Sequence, residues 1–174
     1  MLWRVRAPSW VMRRPLIGFV VPCAPSNLGR PPRDPRWIQE VKQDGYRFIA
    51  RKAGDTVRLW TRLQNECSGR FLRIAEAMRA LPVSSCTLDG EAVVQRSDGR
   101  NDFHALRGRY GAAKAVMVAY DLVELSGQDM RREPIEMRRS RLAGLCDDPA
   151  LPFSHAFDAD GQIETVRVLL VVVF

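Results

Sequence analysis

Lys42, Asp44 and Gly45 form a Lys-x-Asp-Gly motif inside the run Glu40-Val41-Lys42-Gln43-Asp44-Gly45-Tyr46-Arg47. A lysine amine becomes nucleophilic only when it is deprotonated, which desolvation and nearby cations promote. The chain has only three lysines, which are Lys42, Lys52 and Lys114. Because the motif arises by chance in roughly 4% of chains of this length, it needs support from other residues. The alternative is that Lys42 is an ordinary surface lysine at a strand end.

Three more motifs follow in order along the chain. They are Thr61-Arg62, Leu88-Asp89-Gly90-Glu91 and Ala119-Tyr120-Asp121-Leu122. With Lys-x-Asp-Gly they resemble the covalent nucleotidyltransferase superfamily of ligases and capping enzymes, and most closely the ATP-dependent DNA ligases of bacterial end-joining repair. The resemblance runs from about Gly18 to Gly161. It implies that Lys42 attacks the α-phosphate of ATP and becomes adenylylated.

The resemblance also implies that Arg47 contacts the nucleotide and that Asp44 and Gly45 support the motif. Glu40 lies on the same strand face as Lys42, because side chains alternate with period two. In the family an acid at this position reads the adenine amino group. The alternative for Glu40 is an exposed strand acid paired with an arginine.

Glu91, preceded by Asp89 as structural support, is expected to engage the ribose or a catalytic metal. A carboxylate near bound phosphates suits Mg²⁺, which takes only one or two protein oxygens and keeps several waters. Tyr120 is expected to stack on adenine, and Asp121 to brace the neighbouring loop. The alternative for Tyr120 is a core tyrosine in a buried strand.

Arg62 is expected to hold the sugar or phosphates of the nucleotide. In the family, Ser/Thr-Arg is followed by a further residue and a glycine, whereas this chain has Leu63 and Gln64. If the glycine supplies a positive φ, the loop after Arg62 is altered.

Hydrophobic periodicity predicts the elements that position these residues. We expect strands at 37–42, 46–52, 56–62, 86–95, 115–125 and 151–157, helices at 70–81 and 134–146, and a short helix capped by Asp102. Residues 16–21 are compatible with an edge strand, and 162–174 with either helix or strand. The predicted fold class is α+β, with largely antiparallel sheets and flanking helices. The resemblance implies part of an ATP-grasp-like ligase adenylation domain.

We divide the chain into a basic, proline-containing extension at 1–17, the first part of the adenylation domain at 18–161, and an apolar tail at 162–174. The family's later Glu-Gly-x-x-x-Lys and Lys-x-Lys motifs and its OB-fold domain do not follow Gly161. We therefore expect a truncated ligase with impaired turnover, for which a complementing ligase or end-joining chain is a candidate partner. The alternative is a catalytically inactive nucleic-acid-binding fragment. A capping-type GTP transferase would conflict with an adenine-reading Glu40.

The charge balance favours a DNA partner. Lysine and arginine number 27 against 20 acids, giving a net charge of +7, which favours contacts with phosphates. The arginine-rich segment from Arg131 to Arg141 either meets DNA phosphates or is a solvated face. Four widely spaced cysteines and two histidines do not favour a zinc site. The expected protein acts in DNA repair and recombination in the cytoplasm, uses ATP and Mg²⁺, and does not enter a membrane, because its apolar tail is far shorter than a membrane span.

Overall fold

The computed structural model describes residues 18–24, 38–157 and 168–171. Its larger sheet has five antiparallel strands in the order β3-β2-β4-β5-β6. These strands are β2 (Tyr46–Ala53), β3 (Thr56–Thr61), β4 (Ser85–Val93), β5 (Val116–Leu125) and β6 (Gln128–Asp129). A smaller antiparallel sheet has the order β7-β1-β8, formed by β1 (Ile38–Val41), β7 (Ala156–Phe157) and β8 (Val168–Val171). The α+β class with antiparallel sheets is confirmed.

The described residues form the helices α1 (Leu72–Ala80), α2 (Arg109–Lys114) and α3 (Ile135–Ala143), and a 3-10 turn at Ala105–Arg107. One face of the large sheet packs against α1. Phe48 of β2 is fully buried there, with its ring centroid 4.8 Å from that of Phe71. Because side chains alternate along a strand, Arg47 and Ile49 point to the opposite face, where both line a cleft.

Lys52 lies on the helix-covered face and is buried. Its ammonium donates hydrogen bonds to the carbonyls of Arg79 and Leu81, where α1 ends. A cation at this position satisfies carbonyls that have no partner within the helix and complements the helix dipole. Pro82 follows at once and prevents the helix from continuing. Lys52 is therefore a structural residue that fixes the end of α1 to the sheet.

The predicted elements are found, with several corrected boundaries. The first predicted strand ends at Val41, so Lys42 follows it directly, and Arg62 likewise follows the end of β3. Pro134 precedes α3 as its N-cap and does not occupy its first turn. Of 151–157 only Ala156–Phe157 form a strand, and of 162–174 the described part, Val168–Val171, is a strand.

The structure also differs from the sequence-based predictions at the short helix after Asp102 and at residues 18–21. Asp102 accepts a hydrogen bond from the backbone N–H of Ala105 at 3.0 Å, so it caps the 3-10 turn, which Gly108 separates from α2. Residues 16–21 were compatible with an edge strand, but 18–21 have no strand structure, and 16–17 lie outside the described residues. The proposed extension at 1–17 lies outside the described residues. Within the described part of the chain, no helix has the length and apolar character that crossing a membrane requires.

Candidate functional site

A cleft of about 1460 Å³ gathers the predicted site residues. The six side chains assigned to nucleotide chemistry all line it: Glu40, Lys42, Arg47, Arg62, Glu91 and Tyr120. Gly45, Asp89 and Asp121 line it as well. Asp44 is exposed in the turn between β1 and β2. Residues spread over 82 positions of sequence, from Glu40 to Asp121, thus share one cavity, while their individual roles stay predictions.

Lys42 is exposed in the cleft, and its charge acts on Glu91 of β4. Burial raises the pKa of Glu91 from 4.5 to about 7, against the opposing effect of the positive charges of Arg47 and Lys42. The backbone N–H of Gly45 donates a hydrogen bond to the Glu91 carboxylate. The Lys-x-Asp-Gly motif and the motif that ends in Glu91 therefore meet directly, with an amine and a readily protonated acid in the same cavity.

Arg47, Asp89 and Tyr120 form a connected cluster beside them. The Arg47 guanidinium binds Asp89 through two hydrogen bonds, Nε to Oδ1 at 3.0 Å and Nη2 to Oδ2 at 2.7 Å. Burial by itself lowers the pKa of Arg47, but the hydrogen bond and charge of Asp89, together with the charges of Tyr120 and Glu91, outweigh burial and raise the pKa. The Tyr120 side chain is also hydrogen-bonded to Asp89, and the Arg47 guanidinium carbon lies 5.6 Å from the Tyr120 ring centroid. Asp89 thus orients both a cation and an aromatic ring.

Gly45 and Gly90 lie where there is no room for a larger side chain. A Cβ at Gly45 would lie 2.1 Å from the carbonyl oxygen of Ala92, and one at Gly90 would lie 2.5 Å from that of Val118. Neither oxygen can retreat without moving a strand. Gly90 lies beside a register shift between β4 and β5, where the strand that carries Tyr120 approaches Asp89.

Glu40 is buried, which corrects the alternative interpretation that it is an exposed strand acid. It is 1% exposed and forms an ion pair with Arg139 of α3. Arg139 also donates a hydrogen bond to the carbonyl of Ser154 at 2.7 Å. Its guanidinium carbon lies 4.8 Å from the Phe153 ring centroid. Sequence reasoning missed Arg139, which lies 99 residues from Glu40.

Asp121 braces a helix and not the neighbouring loop, which is a second correction. Its Oδ2 accepts a hydrogen bond from Arg138 Nη1 at 2.6 Å, which joins β5 to α3. Arg138 and Arg139 are therefore neither a solvated face nor free for DNA phosphates, because they pair with cleft acids. Arg132 and Arg141 are exposed. For these two arginines, contact with DNA phosphates and a solvated face both remain predictions.

The loop after Arg62 keeps the backbone conformation expected of a glycine. Gln64 has φ 64°, and its N–H donates to the carbonyl of Thr61 at 2.8 Å. Arg62 is exposed, and its own N–H donates to the carbonyl of Arg47 at 3.1 Å. A left-handed conformation costs a non-glycine residue about 1 kcal/mol or more, so the loop retains its shape at a cost in stability.

Residues 20–24 also line the cleft, a contribution that sequence reasoning missed. The backbone carbonyl of Cys23 accepts a hydrogen bond from Arg47 Nη1. All four cysteines are free thiols. Burial raises the pKa of Cys67 to about 11 and those of Cys86 and Cys146 to about 12, so these three are unreactive near neutral pH.

The cleft carboxylates differ in their suitability for a metal ion. Glu40, Asp89 and Asp121 each pair with an arginine, whereas Glu91 accepts a backbone N–H. Among the described residues, no group of three or more His, Cys, Asp and Glu side chains is arranged to hold a metal. One carboxylate nevertheless fits Mg²⁺, because phosphate oxygens and waters supply most of its ligands in nucleotide sites.

Comparison with known proteins identifies the family. Residues 30–169 match the family model for the ATP-dependent DNA ligase domain. The chain is 33% identical over 154 residues to the multifunctional non-homologous end joining protein LigD of Pseudomonas aeruginosa, which covers 85% of this chain and 18% of that protein. It is 36% identical over 121 residues to a probable DNA ligase of Streptomyces coelicolor, covering 63% of this chain and 24% of the relative.

Solved structures give the same result for the fold. The chain superposes on the ligase domain of LigD from M. tuberculosis with a TM-score of 0.61 and 28% identity, covering 72% of this chain and 42% of that one. A mycobacterial DNA ligase D complexed with ATP and MES matches with a TM-score of 0.60 and 28% identity, at the same coverage. The chain spans less than half the length of each of these proteins. It belongs to the ATP-dependent DNA ligase domain family.

Proposed function

We propose that this chain forms a nucleotide-binding cleft in which Lys42 accepts AMP from ATP. The observation that carries the proposal is the convergence of Lys42 with Glu91, Arg47, Arg62 and Tyr120 on one cavity. The solved relative complexed with ATP supports ATP as the nucleotide. Glu40, which lines the same cavity, supplies a candidate contact for the adenine ring.

In the proposed step, the deprotonated Lys42 amine attacks the α-phosphorus of ATP. A P–N bond forms, the bond from the α-phosphorus to the bridging oxygen breaks, and pyrophosphate leaves. Lys42 loses its protons to solvent, and AMP remains as a phosphoramidate. Arg62 is exposed and lines the same cleft as Lys42. Its positive charge would stabilise the negative charge of the bound phosphates. Tyr120 presents an aromatic face held in place through Asp89.

We assign Glu91 to Mg²⁺. The carboxylates of Glu40, Asp89 and Asp121 are paired with arginines, and Glu66, which also lines the cleft, accepts hydrogen bonds from Ser68. A bound Mg²⁺ would neutralise charge on the phosphates. Burial raises the pKa of Glu91 to about 7, although the positive charges of Arg47 and Lys42 act in the opposite direction. The ionised form is the one that can bind a cation. The geometry thus allows a single protein oxygen to contribute to the metal site.

We further propose DNA as the polyanionic partner, on the basis of the net charge of +7 and the DNA ligases among the relatives. In the full reaction AMP would pass from Lys42 to a 5′-phosphate, and a 3′-hydroxyl would then displace it to seal the strand in repair or recombination. A complementing ligase or end-joining chain is a further proposed partner. Transfer of AMP to the 5′-phosphate breaks the P–N bond and leaves Lys42 free to react with another ATP.

The test is covalent labelling with α-labelled ATP and Mg²⁺, read on a denaturing gel and by intact mass. Wild type is compared with Lys42→Ala and with Lys114→Ala, which removes an exposed lysine that packs on Tyr110. We expect an AMP adduct on wild type and on the Lys114 variant, and none on the Lys42 variant. Folded wild type without an adduct would refute the proposal, as would an adduct that survives in Lys42→Ala.

A second function, nucleic-acid binding without catalysis, is supported by the same positive charge. Binding to phosphates releases counterions, so affinity should fall steeply with salt. The discriminating result is DNA binding with a steep salt dependence together with no adduct on Lys42. DNA binding that accompanies a Lys42 adduct instead supports the catalytic proposal.

A further inference from the structure

Glu40 and Arg139 form an ion pair in the wall of the cleft that the proposed nucleotide function does not by itself explain. Glu40 is 1% exposed and Arg139 is 8% exposed. Removing two charges from water is costly, and their attraction offsets the cost only when the remaining polar atoms are also satisfied. A pair retained at the edge of a ligand cavity therefore points to a use for the carboxylate.

Arg139 is held by contacts on three sides. It binds Glu40, donates to the Ser154 carbonyl at 2.7 Å, and stacks on Phe153 at 4.8 Å. The preceding residue, Arg138, pairs with Asp121 at 2.6 Å. Two successive arginines of α3 thus attach the helix to β1 and β5, the strands that carry Glu40 and Tyr120. The position of Arg139, and through it that of Glu40, is set by the protein before any ligand binds.

The charge of Arg139 determines which hydrogen bonds Glu40 can make. A buried carboxyl with no partner takes up a proton, because burial disfavours its charged form. A neighbouring guanidinium favours the charged form, and an ionised carboxylate only accepts hydrogen bonds. Adenine carries an amino donor at the ring position where guanine carries a carbonyl acceptor. An ionised Glu40 can therefore bind the amino group of adenine and repels the carbonyl of guanine.

We propose that Arg139 is a positioning residue that sets the nucleobase selectivity of the cleft by keeping Glu40 an oriented hydrogen-bond acceptor. This inference rests on the proposed function in one respect, which is that the cleft binds a purine nucleotide. It does not require Lys42 to react. Arg139 acts through Glu40, so its effect must disappear when Glu40 can no longer be charged.

The experiment measures equilibrium binding of ATP and of GTP to the full chain, by calorimetry, for four proteins in a double-mutant cycle. These are wild type, Arg139→Met, Glu40→Gln and the double variant. Methionine keeps an apolar side chain of moderate length and removes the charge. Arg141→Met is the matched control, because Arg141 lies on the same helix and is exposed. Circular dichroism and thermal unfolding are recorded for every protein.

We expect wild type and Arg141→Met to prefer ATP, and Arg139→Met to lose about tenfold or more of that preference, the usual effect of one buried hydrogen-bonding group. In the Glu40→Gln background, Arg139→Met should leave the ATP-to-GTP ratio unchanged within about twofold. A purely structural role would weaken both nucleotides equally. If Arg139→Met fails to fold, Arg139→Lys replaces it and should shift the ratio in the same direction by a smaller factor, because lysine lacks the planar fork.

Three results would overturn the inference. One is an unchanged ratio in the Arg139 variant, a second is an equal shift with and without Glu40, and a third is wild type that binds ATP and GTP equally. Failure of the proposed function is recognised separately, by wild type that binds ATP selectively but forms no adduct on Lys42. That outcome leaves the role of Arg139 intact, whereas absence of any nucleotide binding refutes both.

Discussion

The Arg47 guanidinium donates hydrogen bonds to both oxygens of the Asp89 carboxylate, at 3.0 and 2.7 Å. The Arg47 side chain is 18% exposed and that of Asp89 is 8% exposed. Asp89→Asn keeps the shape but removes the charge and leaves Arg47 partly buried without its counterion. We expect a loss of about 2–4 kcal/mol in the free energy of unfolding, since breaking a buried pair leaves an uncompensated charge. Urea denaturation followed by circular dichroism measures it.

Asp98→Asn is the matched control for that variant. Asp98 is exposed in a turn, where it accepts a hydrogen bond from the N–H of Arg100. Its loss should cost less than about 1 kcal/mol. If Asp98→Asn and Asp89→Asn lower the free energy of unfolding equally, the Arg47–Asp89 pair does not contribute the extra stability expected of it.

Gly45→Ala should destabilise the chain by about 3 kcal/mol or more, the upper range for overpacking. The added carbon would lie 2.1 Å from the backbone oxygen of Ala92, so β2 and β4 must separate where Glu91 meets the Gly45 N–H. Gly69→Ala is the control, because nothing lies within 4 Å of the position its Cβ would take. Thermal unfolding of both variants decides the question, and similar midpoints would contradict the close approach.

Gln64→Gly should stabilise the chain by up to about 1 kcal/mol. Glycine relieves the left-handed strain at φ 64°, although the greater freedom of glycine in the unfolded chain offsets part of the gain. Gln128→Gly is the control, in an exposed strand position, where the same change should destabilise by about 0.5–1 kcal/mol. Urea midpoints that move in the same direction for both variants would rule out relief of strain.

Glu91 should make the free energy of unfolding decrease as pH rises from about 5 to 8. Its pKa is about 7 in the folded chain, above its ordinary 4.5, because it is buried. Between those values the folded chain holds a proton that the unfolded chain has released, so raising the pH favours unfolding. The free energy of unfolding of Glu91→Gln, measured relative to that of wild type, should therefore rise by on the order of 2–3 kcal/mol between pH 5 and pH 8.

The measurement is urea denaturation at several pH values in a Mg²⁺-free buffer containing a chelator, since a bound cation would favour the ionised acid. Glu136→Gln, at an exposed position of α3, should show no comparable gain. A difference between wild type and Glu91→Gln that does not change with pH would contradict the raised pKa.

Local sequence patterns predicted most of the strands and helices. Alternation along 46–52 and 56–62, with a turn between them, predicted the hairpin of β2 and β3, and helical spacing predicted α1. The motif residues could be assigned to one site because their order along the chain matched a known family. Element ends were less accurate, because caps such as Pro134 and Asp102 take part in turns whose geometry depends on neighbours.

Long-range pairs could not be predicted. Nothing near Glu40 indicates that its partner is Arg139, 99 residues later, and the run of arginines in α3 suggested exposure. The pairing arises only when α3 packs on β5, because this turns two neighbouring arginines towards acids on different strands. Gln64 is a similar case, since only the folded loop shows that glutamine adopts the left-handed conformation.

The burial of Lys52 has a practical consequence for chemical labelling. Its ammonium is enclosed between two carbonyls at the end of α1, and amine-directed reagents need an accessible, unprotonated amine. Of the three lysine side chains, reagents in solution can reach Lys42 and Lys114, both of which are exposed. A Lys114→Arg chain would therefore offer Lys42 as its single accessible lysine. Among the lysine side chains, a fluorophore or a nucleotide-derived crosslinker would then attach at Lys42, inside the cleft.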